Sequence, residues 1–167
     1  MRQFFGHMSA ALESTRGHYA QFTGDGLFAL FGLQGDIQQA CRDALSSAAD
    51  MQRRLESLNQ HVRSELKGAL RIGIGIHCGE AIVGPMGPPN SRVISAIGDS
   101  VNVASRLEAA TKQFGCIAVV SQATIERAGL VLHDLNVEKI EIRGREQKLA
   151  VYPIFEIEAL KNHSEKA

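Results

Sequence analysis

Apolar residues recur at three- and four-residue steps near the start of the chain, through Phe4, Phe5, Met8, Ala11 and Leu12, which predicts a helix over Arg2–Ser14. No capping residue precedes its apolar face, so the first residue falls inside an element, and Gly17 closes the helix. The period then shortens to two, predicting strands over His18–Thr23 and residues 27–31. Gly24-Asp25-Gly26 joins them as a hairpin turn, because glycine tolerates positive φ. Asp36 is placed to cap a long helix. Ile37, Cys41, Ala44, Ala48, Met51, Leu55, Leu58 and Val62 follow in alternating four- and three-residue steps. That spacing would also suit a coiled coil, but the small residues Ala40, Ala44, Ala48 and Ala49 favour close packing on a sheet.

Residues 70–77 alternate around Gly73 and Gly75, turn at Cys78-Gly79-Glu80 and return over 81–83, which predicts a second hairpin. Residues 84–92 hold three of the four prolines and predict a loop or projecting arm. A short strand over Val93–Ile97 follows, then a helix capped by Asp99 or Ser100 and running to Gln113. Residues 116–120 predict a buried strand, 121–127 a short helix, and 131–142 and 149–157 strands. Residues 161–167 form a polar tail expected to fray. The order predicts one α+β domain over residues 1–160, with a ferredoxin-like core and a mostly antiparallel sheet carrying helices on one face.

Composition adds limits. The 167 residues are 44% apolar and 22% charged, enough for one domain with its own core. Eighteen basic and eighteen acidic side chains cancel, which argues against a broad electrostatic surface for nucleic acid or anionic lipid. Cys41, Cys78 and Cys116 are odd in number and lack metal-ligand spacing, as expected of reduced thiols in a cytoplasmic protein. No apolar run approaches the ~20 residues needed to cross a bilayer.

Two Gly-Asp segments carry the candidate chemistry. Asp25, flanked by glycines between apolar strands, is a turn aspartate or a ligand for a hard divalent cation such as Mg²⁺. Asn102 and Arg106 follow Gly98-Asp99 at i and i+4, so they share one helix face. They form either a solvated polar stripe or a pair that holds a ribose oxygen and a phosphate. Arg143-Gly144-Arg145 is a basic turn or a phosphate clamp. His77 reads as a packed histidine and Glu80 as a turn residue. Gly73-Ile74-Gly75 lies within a strand and lacks the third glycine of a dinucleotide fingerprint.

In three ordered segments the chain resembles the catalytic domain of class III adenylate and guanylate cyclases, from Phe4 to about Phe155. They run from Phe22-Thr23-Gly24-Asp25 to Phe31-Gly32, from Ile72-Gly73-Ile74-Gly75-Ile76-His77-Cys78-Gly79-Glu80 to Val83-Gly84, and from Ile97-Gly98-Asp99-Ser100-Val101-Asn102 to Arg106-Leu107-Glu108. The resemblance implies attack of a ribose 3′-hydroxyl on the α-phosphate, loss of pyrophosphate, and two divalent ions, Mg²⁺ or Mn²⁺. By position it implies that Asp25 binds metal, Asn102 orients the ribose, and Arg106 and Arg143 stabilise phosphate charge, Arg143 standing where the family often has lysine. It places Gln21, Phe22, Thr23, Gly24, Ser95 and Ile97 against the nucleotide. It also implies a homodimer with sites shared between subunits, the 84–90 stretch forming part of a dimer-contacting arm, and a regulatory domain upstream.

Two departures follow from the resemblance. The family's first metal aspartate lies on a strand before the opening helix, and here that N-terminal strand is missing, so little or no turnover is expected of this chain. The purine-reading positions hold Gln21 and Ser95 in place of the usual Lys with Asp or Thr, or Glu with Cys. Glutamine both donates and accepts, so GTP stays open, while the absence of a glutamate acceptor favours ATP. A cyclase-like domain that binds nucleotide or a partner without turnover is the rival from another class.

Overall fold

The computed structural model describes residues 2–160 and 163–165. Helix α1 (Arg2–Ser14) matches its periodicity and buries Met8, Ala11 and Leu12. It stops where Arg16 takes a left-handed φ of 58° and the Gly17 N–H donates back to the Leu12 carbonyl at 2.9 Å. Strands β1 (His18–Thr23) and β2 (Gly26–Leu30) pair antiparallel, with Thr23 opposite Gly26 and a bulge between Tyr19 and Gln21. Helix α2 (Ile37–Val62) is capped by Asp36, whose carboxylate accepts from the Gln38 and Gln39 N–H groups. Its Cys41, Leu45, Ala48 and Ala49 enter the main core with Ile76, Ala118 and Val120 of the sheet, so the small-residue stripe packs on a sheet as expected.

The predicted hairpin over residues 70–83 does not form. Strand β3 (Ile74–Ile76) is shorter and pairs parallel with β6 (Ala118–Ser121). Strand β4 (Ile82–Met86) pairs instead with β5 (Val93–Ile97) along its whole length. The expected loop therefore narrows to residues 87–92, and Pro85 sits inside a strand opposite Ile94. This two-stranded arm leaves Pro85 on a strand with a free edge, where a missing N–H costs little.

Helix α3 (Asp99–Phe114) is capped by Gly98 rather than by Asp99 or Ser100. Short helix α4 (Gln122–Arg127) has Ser121 as its N-cap, accepting from the Thr124 N–H. The strand expected over 131–142 splits into β7 (Leu130–Leu132) and β8 (Glu138–Ile140), because Asp134 takes a left-handed φ of 63° between them. Strand β9 (Leu149–Ile154) ends before Phe155, and Ile157–Leu160 form a 3₁₀ turn. Within the expected tail, β10 (His163–Glu165) pairs with the open edge of β7, while residues 161, 162, 166 and 167 lie outside the described residues.

The central sheet runs β3-β6-β9-β8, with one parallel pairing and the rest antiparallel. Alternation along β6 sorts the core. Ala118 and Val120 face α2 and α4, whereas Val119 faces Val103 and Leu107 of α3. Helices thus cover both faces, not one. The cause is that α3 follows the β4–β5 arm and lands across the sheet from α2. No helix among the described residues is long and apolar enough to cross a membrane.

Candidate active site

Gly24 and Asp25 are the two turn residues of the β1–β2 hairpin. Gly24 takes φ +69°, a conformation that costs any other L-residue about 1 kcal/mol. The turn presents the Asp25 carboxylate to solvent. Phe22, three residues before Asp25 on β1, is 49% exposed but edge-on to Phe5 of α1, with ring centroids 4.4 Å apart, and packs on Tyr19. That aromatic cluster ties the hairpin to α1. Gln21 beside it is exposed, and the Thr23 side chain lies outside what the structure describes.

Asn102 and Arg106 are both exposed on α3, while Val103, Leu107 and Ala110 turn inward onto the sheet. The helix lies unusually close to β3 because Gly75 has no side chain. A Cβ there would come within 2.3 Å of the Ala104 carbonyl oxygen and the Glu108 nitrogen. Gly73, one residue before β3, would bring a Cβ within 2.3 Å of the Thr111 hydroxyl. These glycines, dismissed above as a dinucleotide motif, position the helix that carries Asn102 and Arg106. The readable signal was two glycines at i and i+2, one just before a strand and one within it.

The first turn of α3 is braced twice more. The Ser100 hydroxyl donates to the Glu80 carbonyl at 2.6 Å, so Glu80 acts through its backbone. Arg145 donates to Asp99 Oδ2 from Nε at 3.1 Å and again from Nη2. Of the two arginines in the basic turn, Arg145 is therefore drawn to α3. Arg143 stays exposed at the tip beside Gly144, whose φ is +87°. His77 Nδ1 lies 2.9 Å from the Ser121 hydroxyl. Burial, aided by the Arg145 and Arg127 charges, lowers its pKa below the ordinary 6.5 and favours the neutral ring of a packed histidine.

Ser95 is buried on β5, and Ile97 at its end is 62% exposed. Strand β1 packs against β5, which brings the strands of Gln21 and Ser95 side by side. The hairpin otherwise packs on α1, whereas α3 packs on β3, β5 and β6. Asp25 and the Asn102–Arg106 pair thus sit on separate elements, the β1–β2 hairpin and α3, both of which contact β5. Among the described residues no group of three His, Cys, Asp or Glu side chains is placed to hold a metal. Asp25 is a hard oxygen donor that suits Mg²⁺ or Mn²⁺ when phosphate oxygens and water complete the shell.

A family model for the adenylate and guanylate cyclase catalytic domain matches residues 1–155. The chain belongs to that family. This cyclase domain is 30% identical to an adenylate cyclase of Anabaena cylindrica over 165 residues, covering 92% of the chain and 31% of that protein. It is also 30% identical to adenylate cyclase 1 of Rhizobium meliloti (strain 1021) over 158 residues, covering 92% of the chain and 23% of that protein. The chain therefore spans less than a third of these curated relatives. The crystal structure of the guanylyl cyclase Cya2 superposes with a TM-score of 0.80 at 25% identity, covering 92% of this chain and 77% of that one. The adenylyl cyclase CyaB from P. aeruginosa shares the fold, with a TM-score of 0.73 at 23% identity over 93% of this chain and 80% of that one. The α+β, ferredoxin-like architecture and the class III nucleotidyl cyclase family stand together.

Proposed function

We propose that two copies of this domain convert ATP into 3′,5′-cyclic AMP and pyrophosphate at sites shared between them. One observation carries this reading: Asp25 and the Asn102–Arg106 pair are all exposed on separate elements, the β1–β2 turn and α3, so both are open to a facing second copy. The β4–β5 arm supports the pairing, since Ile82 is 77% exposed and Val83, Val93 and Ile97 are exposed beside it.

In this reading the Asn102 amide hydrogen-bonds a ribose oxygen and aligns the 3′-hydroxyl with the α-phosphorus. Arg106, always charged and forked, meets the charge that grows as the new O–P bond forms and pyrophosphate leaves. Arg143 adds a second positive group toward the phosphates. Gln21 and Ser95 face the base, with Phe22, Thr23, Gly24 and Ile97 shaping the contact. Asp25 would hold Mg²⁺ or Mn²⁺, which when bound acts as a Lewis acid on the triphosphate. A second ion would need a further carboxylate beside Asp25. A nucleotide-binding role without turnover is the second reading.

Adenine is favoured over guanine because no glutamate stands at Gln21 or Ser95 to accept the guanine N–H donors. The adenylate cyclases that match are much longer than this chain, which supports a regulatory domain upstream, and a cytoplasmic location is proposed for the catalytic part. Incubation with ATP or GTP and Mn²⁺, followed by mass spectrometry of the nucleotides, tests the assignment. Cyclic AMP as main product supports it. Cyclic GMP would move the base assignment, and nucleotide binding with no cyclic product would favour the second reading.

A further inference from the structure

Phe5 lies outside every residue assigned to the nucleotide, yet it reaches the strand that leads into the Asp25 turn. Its ring is edge-on to Phe22 with the planes at 70°, and the Phe22 ring packs on Tyr19 with centroids 4.9 Å apart. Tyr19 and Phe22 are three residues apart, and regular alternation along β1 would send them to opposite faces. A bulge prevents that. Tyr19 pairs with Ala29 and Gln21 with Phe28, so Ala20 is an extra residue, 1% exposed, that turns Tyr19 and Phe22 to the same side.

Strands β1 and β2 form a sheet of their own, and two strands are marginal without outside packing. Helix α1 and strand β5 supply that packing. Near the base of the hairpin, Gly17 makes room for the Phe31 ring, which a Cβ there would approach within 2.8 Å. Near the tip, Phe5 meets Phe22, one residue pair from the Thr23–Gly26 closure of the turn. The helix thus holds the hairpin at both ends.

We propose that Phe5 is a positioning residue for Asp25: its contact with Phe22 fixes the hairpin tip, and a shift of α1 passes through this ring pair to the carboxylate. The functional consequence rests on the reading of Asp25 as the metal ligand. A tip held in one orientation presents its carboxylate ready to meet Mg²⁺ or Mn²⁺, whereas a loosened tip must first be ordered. An upstream domain that moved α1 would act through the same contact.

Hydrogen exchange of the full chain tests the contact directly. Phe5→Leu should speed exchange in peptides covering residues 19–28 by about fivefold, the scale of one edge-to-face pair, and leave the central sheet unchanged. Phe5→Tyr, which keeps the ring, should restore slow exchange. Phe4 is the matched control. Its ring touches Phe5 but lines a cavity with Leu58 and Val62 of α2, so Phe4→Leu should leave exchange in the hairpin near that of the unmodified chain. Unchanged hairpin exchange in Phe5→Leu, or equal loosening of the hairpin and the central sheet, would overturn the proposal. Broadening of the Gly24 and Gly26 amide NMR signals by Mn²⁺ reads the consequence. Phe5→Leu should need about fivefold more Mn²⁺ for the same broadening, and adding Phe22→Leu should change little further, since both substitutions break one contact. An unaltered Mn²⁺ response despite a loosened hairpin would also overturn the positioning role. Broadening that survives Asp25→Asn would remove the metal reading of Asp25, while the exchange result decides the ring contact separately. None of these readouts depends on cyclase turnover.

Discussion

Arg145 reaches back 46 residues to hold Asp99, pinning the turn after Ile142 to the first helical residue of α3. The contact turns the second Gly-Asp segment from a self-capped helix start into one held from a late loop. Both partners are open to solvent, with side-chain exposures of 37% and 65%, so screening limits its effect on stability. Arg145→Ala should cost less than about 1 kcal/mol in urea unfolding. A larger loss would show that the turn supports α3 more strongly than a surface ion pair can.

Gly75 sets the spacing between β3 and α3, and its neighbours are backbone atoms that cannot swing aside. Gly75→Ala should destabilise the fold by about 3 kcal/mol through overpacking, and any cyclase activity should fall with it. Gly84→Ala, where a Cβ meets nothing within 4 Å, is the matched control and should be nearly neutral. Equal melting temperatures for the two variants would refute the close-approach explanation.

Local signals made much of this fold legible. The α1 period, the Gly24-Asp25 turn and the Asp36 cap each act within a few residues, and all three form where the sequence puts them. The failures involve distant partners. Nothing near Ile74 states that β3 pairs with Ala118 some forty residues later, so the neighbouring strand 81–83 looked like its partner. The Asp134 break was hidden because Asp only tolerates a left-handed φ and does not require it. At the candidate site, the shared exposed face of Asn102 and Arg106 was visible from helix periodicity alone. Arg145 was not, since Arg143 and Arg145 flank the same glycine and only tertiary packing separates them.

His77 gives the fold a pH dependence. Its pKa is lowered by burial first and then by the Arg145 and Arg127 charges. The unfolded chain therefore takes up the proton first as pH falls through about 6.5. The stability tied to the neutral ring is present above that pH and drains away as pH drops toward the lower folded value. Asp43 and Asp50 have lowered pKa values too, each pulled up by burial but down further by Arg16 or Arg54, so their windows begin only below 3.8. Urea unfolding at pH 7.5 and 5.5 should show a loss in the native chain that His77→Gln greatly reduces. The same loss in both proteins would assign the effect elsewhere.

The proposed sharing of sites between two copies makes a prediction that no single-chain site can meet. Asp25→Asn and Arg106→Ala should each abolish product formation in an otherwise active assembly, the arginine lowering kcat far more than it raises KM because it acts on transition-state charge. When the two variants are mixed and allowed to exchange subunits, half of the dimers are mixed. Each mixed dimer has one site with both lesions and one with neither. Activity should then recover to about a quarter of the unmodified level. If Asp25, Asn102 and Arg106 all served one chain's own site, every site in the mixture would keep a lesion and no activity would return.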